Sequence, residues 1–291
     1  MRKISPLLHA LRPRQWIKNL VIFVPLVFDV KLLQVQYLVP TLLAFGVFCA
    51  LASSVYLIND LVDADGDRLH PTKKNRPIAA GLITWRTAVG FAVLLPLLTL
   101  PAAYAINPLL GLLAAAYWAQ NLLYTYHLKH IVILDVMIVA AGFLLRLGAG
   151  VTLVNVERFS PWMFICVGLG ALLVGFGKRR HELTLMQARA SKHRSVLQEY
   201  TLPFLDLAIN MAAAAILIAY SLYTFSAPNM PANHMMMLTI APVWYGTLRY
   251  LYLLHVSGKG GAPEDLLLED RPLLATVFVW VLGAVLVLYL A

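Results

Sequence analysis

Between positions 59 and 76 the chain reads NDLVDADGDRLHPTKKNR, an asparagine and four aspartates followed by a histidine and several basic side chains. On a continuous helix Asn59, Asp63 and Asp67 are spaced i, i+4, i+8 and share an arc of about 80°, with Asp60 beside them and Asp65 pointing away. Carboxylates crowded on one face repel one another, so the arrangement asks for a positive partner, most economically a divalent cation. Magnesium suits it best, because it binds one or two carboxylates together with water and phosphate oxygens, and the patch then becomes a receiver for a metal-bound pyrophosphate. The plainer alternative is a solvated acidic loop that pairs with its own Lys73, Lys74 and Arg76.

The elements that must hold these residues are membrane helices. Of 291 residues 60% are hydrophobic and 13% charged, and the mean hydropathy is +0.76, which is too apolar for an ordinary soluble domain. Stretches 37–58, 87–126, 159–177, 207–248 and 272–291 contain no Asp, Glu, Lys or Arg, and about 20 apolar residues suffice to cross a bilayer. The two longest must fold back, at Asn107-Pro108 and at the turn that starts with Ala227-Pro228. With 16–33 and 131–154 added, the expectation is nine spans in an all-α polytopic membrane protein.

Charge placement supports that count. All but three of the 23 Lys and Arg fall on the side shared by the N-terminus and the loops after even-numbered spans; the exceptions are Lys31, Arg146 and Arg158. That side is expected to be cytoplasmic. No cleavable signal peptide is expected, since the first apolar segment follows a basic arm with no small-residue cleavage site. Cys49 and Cys166 stand in separate spans, which argues against a disulfide or metal-thiolate site. The net charge of +9 fits cationic loops on an anionic leaflet, and no nucleic-acid partner is expected from it.

The residues Asn59, Asp60, Asp63 and Asp67, followed by Arg76-Pro77 and Gly81, resemble the first aspartate-rich motif of the UbiA superfamily of intramembrane prenyltransferases. The resemblance implies a ring of nine helices around a cavity with a lateral opening to lipid and a cytoplasmic cap, here about residues 59–86 and 178–200 of a single domain, 1–291. It also implies a bacterial plasma membrane location and an isoprenyl pyrophosphate bound through Mg2+ at two aspartate-rich loops.

The second loop departs from that pattern. Where more aspartates belong it reads GKRRHELTLMQARASKHR, with Lys178, Arg179, Arg180, Arg189, Lys192 and Arg194. Guanidinium forks and an ammonium suit a free phosphate. With LRPRQWIKNL, HPTKKNRPIAAG and LKHIVILDVMIVAAGFLLR, this loop resembles the superfamily's phosphoribosyltransferase branch. The implied donor is phosphoribosyl pyrophosphate, the acceptor a long polyprenyl phosphate such as decaprenyl phosphate, and the product a lipid-linked pentose for cell-wall arabinan.

On that resemblance Asp63 and Asp67 carry the catalysis, with Asn59 and Asp60 assisting at the metal. Arg76, Lys129, Lys178 and Arg179 are candidates for the donor's phosphates, Lys18 or Arg14 for the acceptor phosphate, and Tyr126 for a further substrate contact. Asp135 and Arg146, about 16 Å apart along one helix, are not expected to pair and stay outside the expected site, with Arg146 able to reach the far interface. The glycines of VGLGALLVGFG are read as close helix packing. An aromatic prenyltransferase of quinone or haem biosynthesis is the nearest alternative, opposed by the basic second loop. A transporter would place ionisable residues at mid-membrane, whereas nearly all the charge lies at one face. Oligomeric state stays open, self-association included.

Overall fold

A computed structural model describes residues 6–69, 73–154, 160–189, 195–228, 230–258, 260–261 and 263–290. Lys192, Arg194 and Arg158 lie outside the described residues. The described residues are helical and include no strand. The α-helices are α1 Pro6–Ala10, α2 Val24–Phe28, α3 Val35–Val62, α4 Ala64–Leu69, α5 Trp85–Ile106, α6 Pro108–Tyr126, α7 Leu134–Val154, α8 Pro161–Arg189, α9 Leu202–Ser226, α10 Ile240–His255, α11 Pro263–Glu269 and α12 Arg271–Leu290.

Six of these are long and apolar enough to cross a membrane: α3, α5, α7, α9, α12 and the Pro161–Leu185 part of α8. The other three expected spans take different forms. Pro13–Phe23 is an eleven-residue 3-10 helix that runs directly into α2. A 3-10 helix rises about 2.0 Å per residue against about 1.5 Å for an α-helix, so the combined segment reaches roughly 30 Å. α6 has 19 residues, and α10 has 16, preceded by a 3-10 turn over Met235–Thr239.

The helix ends fall where the local chemistry puts them. Asn107 ends α5 and caps α6, its Oδ1 accepting from the backbone N–H of Leu109 at 2.8 Å and of Leu110 at 3.2 Å. Pro108 takes the first helical position, where its missing N–H costs nothing. Thr201 caps α9 in the same manner, and α9 stops at Ser226, just before Ala227-Pro228.

By their contacts the residues fall into two compact units. The first comprises 1–26, 32–126 and 145–155, and the second 27–31, 127–144 and 156–291. In the first unit α3 packs on α5 and α6 around Phe48, Leu51, Leu110 and Ala114, and a smaller cluster of Leu57, Ile78, Ile83 and Ala88 lies under the acidic segment. In the second α8 packs along α9, and α10 along α12, with Val136, Phe176, Leu205 and Leu254 among the core residues. Two of the four α8 glycines serve close packing: a Cβ on Gly175 would meet Val136 Cγ1 at 2.7 Å, and one on Gly177 would strike the Tyr250 hydroxyl, whereas at Gly168 and Gly170 it would make ordinary contacts.

Candidate active site

Two charged clusters stand out, one in each unit. The first is the acidic segment. α3 ends at Val62, yet the helical path carries on, because Asp63 N–H donates to Asn59 O at 2.9 Å and Asp67 N–H to Asp63 O at 2.8 Å. Asp65 faces solvent and pairs with Arg68 at 2.7 Å. Asp60 and Asp67 turn inward and are buried. They converge on one atom: Arg76 Nη1 sits 3.0 Å from Asp60 Oδ1 and 2.6 Å from Asp67 Oδ2.

Arg12 reaches Asp60 Oδ1 from the N-terminal segment at 2.5 Å. Ser53 sets it there by donating from its hydroxyl to Leu11 O at 2.9 Å. Arg12 adopts a left-handed backbone, φ 53°, and its guanidinium stacks 5.0 Å from the Tyr56 ring centroid. Asn59 accepts a hydrogen bond from the Thr125 hydroxyl at the end of α6. Asp63 is half-buried at the C-cap of α3.

The alternative reading of this segment as a solvated acidic loop is therefore half right. Arg76 does pair with it, but the carboxylates it pairs with are buried. Among the described residues no three His, Cys, Asp or Glu side chains form a ready metal cage. The donor set fits magnesium in another way. Two buried carboxylates already focus on one cationic atom, and Asp60 Oδ2 is buried with no hydrogen-bond partner, so an ion held by two carboxylates and by phosphate oxygens suits the residues present.

The second cluster surrounds Asp135, in the first turn of α7 and fully buried. Arg179 Nε, from α8, donates to its Oδ2 at 2.6 Å. The Tyr200 hydroxyl donates to its Oδ1 at 2.6 Å, and the Ile133 N–H donates to the same hydroxyl oxygen at 2.7 Å. Arg179 Nη1 meets Glu182 Oε2 at 2.6 Å. Burial first, and then the Asp135 carboxylate, push the Tyr200 phenol well above its ordinary pKa, so it stays a donor. Arg180, next in sequence, turns instead to Asp206 on α9 at 2.5 Å.

The remaining site candidates are placed as follows. Lys178 is half-buried on α8 beside Arg179, and Lys129 is half-buried on the 3-10 turn Leu128–His130. Lys18 Nζ donates to Gln15 at 2.5 Å. Tyr126 is 52% exposed and borders an apolar groove of about 740 Å³ in the first unit, formed along α3, α5 and α6 with Trp85, Pro96, Pro101 and Trp118 in its walls.

Sequence reasoning missed Thr125 and Tyr200, counted Arg12 among the basic residues of LRPRQWIKNL without foreseeing its pairing with Asp60, and set Asp135 aside. Arg146, for which the far interface was an open alternative, is buried instead. Its Nε donates to Asn19 Oδ1 at 2.6 Å and its Nη2 to the Tyr117 hydroxyl at 2.7 Å, because hydrogen bonds inside the fold satisfy a charge that lipid would not. A charged residue within an apolar span was the available signal for both Asp135 and Arg146.

Residues 32–255 match the UbiA prenyltransferase family. This chain belongs to that family. Among its UbiA relatives, the decaprenyl-phosphate phosphoribosyltransferase of Mycolicibacterium smegmatis is 36% identical, over 96% of this chain and 91% of its own length. The protein of the same name from Corynebacterium glutamicum is 34% identical, over 98% of this chain and 87% of its own. A UbiA homolog from Archaeoglobus fulgidus bound to GPP and Mg2+ shares the fold with a TM-score of 0.70 at 20% identity, covering 98% of this chain and 99% of its own. The same homolog has also been solved bound to Cd2+, with a TM-score of 0.67 at 18% identity. The UbiA fold and its apolar helices make this an integral membrane protein.

Proposed function

We propose that this chain transfers 5-phosphoribose from phosphoribosyl pyrophosphate to a polyprenyl phosphate, decaprenyl phosphate being the acceptor its relatives are named for. Pyrophosphate is released, and the product is a lipid-linked pentose of the kind used to build cell-wall arabinan. The observation that carries this reading is similarity at 36% identity over nearly the whole chain to a phosphoribosyltransferase. The two clusters give it residues.

The bond that breaks joins the ribose anomeric carbon to the pyrophosphate oxygen, and the bond that forms joins the same carbon to an acceptor phosphate oxygen. That oxygen is ionised at neutral pH, so no general base is required, and attack opposite the leaving group inverts the anomeric carbon. Asp63 and Asp67, with Asn59 and Asp60, would hold Mg2+, which when bound neutralises charge developing on the departing pyrophosphate. Arg76 then exchanges carboxylates for a phosphate. Lys129, Lys178 and Arg179 take the donor's phosphates, and Lys18 or Arg14 takes the acceptor's. Tyr126 borders an apolar groove of the kind an isoprenyl chain needs. Positioning and charge neutralisation do the work.

In the membrane the chain crosses nine times, the segment from Pro13 to Phe28, α6 and α10 completing the set. The N-terminus and the charged loops face the cytoplasm of a bacterial plasma membrane, where a water-soluble sugar phosphate is available, and the loops near 59–86 and 178–200 form a cap. The test supplies purified protein with magnesium, labelled phosphoribosyl pyrophosphate and decaprenyl phosphate. Label is expected in the lipid phase. No label there, together with activity on a prenyl pyrophosphate and an aromatic acid, overturns the reading.

A further inference from the structure

Arg179 carries two carboxylate partners that differ in one physical respect. Asp135 is wholly enclosed, with a side-chain exposure of 0%, whereas the Glu182 side chain is 29% exposed. A carboxylate with no access to water cannot leave its guanidinium without becoming a lone buried charge, but one on the rim can swing into solvent at small cost.

Asp135 is fixed in turn. Its second oxygen takes the Tyr200 hydroxyl, and that hydroxyl oxygen accepts the N–H of Ile133. Ile133 is held at φ 70°, a left-handed conformation that a β-branched residue adopts only where its surroundings enforce it. The backbone entering α7, the phenol and the carboxylate therefore form one braced unit against the Nε edge of Arg179. The Nη1 edge faces Glu182, a carboxylate sitting where another anion would fit.

We infer that Asp135 and Tyr200 are positioning residues, holding one edge of the Arg179 guanidinium so that the edge covered by Glu182 takes a phosphate of the donor. This rests on the proposed function, in which Arg179 meets that donor. Glu182 then acts as an anionic placeholder: donor phosphate displaces it, and its hydrogen bond to Arg179 is replaced by one to a phosphate oxygen. Carboxylate and phosphate are the two anions that the guanidinium fork matches.

The test is steady-state kinetics of the full-length protein at saturating decaprenyl phosphate, with thermal midpoints recorded for each variant. Asp135→Asn keeps the shape of the side chain and removes its charge; the donor KM is expected to rise about tenfold, with the acceptor KM unchanged. Tyr200→Phe, the gentler variant, should raise the donor KM about threefold. Glu182→Gln should move the other way and lower it about threefold, because a competing charge is gone. A lowered thermal midpoint with an unchanged donor KM in the first two variants makes the network purely structural and overturns the inference, as does a raised donor KM in Glu182→Gln. Wild-type protein that transfers nothing from phosphoribosyl pyrophosphate sinks the proposed function, and this inference with it.

Discussion

The two charged clusters are built on opposite principles. In the first cluster the paired carboxylates are buried and their cations are not: Asp60 and Asp67 sit inside, while the side chains of Arg12 and Arg76 are 27% and 26% exposed. In the second cluster both Asp135 and Arg179 are buried, and Glu182 reaches the rim. The first cluster also leaves Asp60 Oδ2 without a hydrogen bond, whereas both oxygens of Asp135 are engaged. A buried carboxylate oxygen left bare is costly unless a ligand completes it. The first cluster therefore has the character of a receptor whose cations can be exchanged, and the second of a brace with a single movable member.

The sharpest way to break this contrast is to remove one carboxylate from the receptor. Asp63→Asn should cut transfer by roughly a thousandfold while leaving the thermal midpoint near that of wild type, since a charge is lost at the half-buried C-cap of α3 and no core packing changes; Asp67→Asn should cut it equally but also lower the midpoint, because Arg76 loses a buried partner. Chelation of magnesium should produce the same loss, reversed on adding the ion back. Turnover near wild type in either aspartate variant would take that residue out of the mechanism, and full activity in chelator would remove the metal.

The brace predicts a mixed phenotype. Arg179→Ala should raise the donor KM by roughly tenfold or more and also lower stability by about 3 kcal/mol, because Asp135 is left charged and unpaired in the interior. Lys178→Ala, half-buried on the same turn, should raise the donor KM with little loss of stability. If Lys178→Ala destabilises as much as Arg179→Ala while donor affinity holds, the basic loop is an anchor and not a binding surface.

Much of this arrangement was legible in the sequence wherever local chemistry decides it. The breaks at Asn107-Pro108 and after Ser226 follow from capping and proline, and Asp67 inside with Asp65 outside follows from helical spacing, whereas Asp60, read only as lying beside the 59, 63, 67 face, is buried and Asn59 and Asp63 are half-buried. The close packing read from the α8 glycines holds at Gly175 and Gly177 and not at Gly168 or Gly170. What stayed hidden is tertiary. Arg12 meets Asp60 from 48 residues away, Arg179 meets Asp135 from 44, and Arg146 finds Asn19 from 127. No periodicity encodes such pairings. The N-terminal segment was legible as an apolar stretch over 16–33, but not as the 3-10 helix Pro13–Phe23, because hydropathy does not tell one helix type from another.

Arg12 supplies the finest test. Its pairing with Asp60 Oδ1 blocks one oxygen of the receptor, as Glu182 covers one edge of Arg179, and with a quarter of its side chain exposed it can move aside. If cations in the first cluster are placeholders for the metal, Arg12→Gln should lower the magnesium concentration for half-maximal activity by roughly twofold to threefold, since one competitor for the carboxylate has gone. The titration is run at saturating donor and acceptor, so that any contribution of Arg12 to substrate binding appears as a change in maximal rate and not in the midpoint. A midpoint that rises instead means that Arg12 shapes the carboxylate pair for the ion, and the first cluster is then a brace like the second.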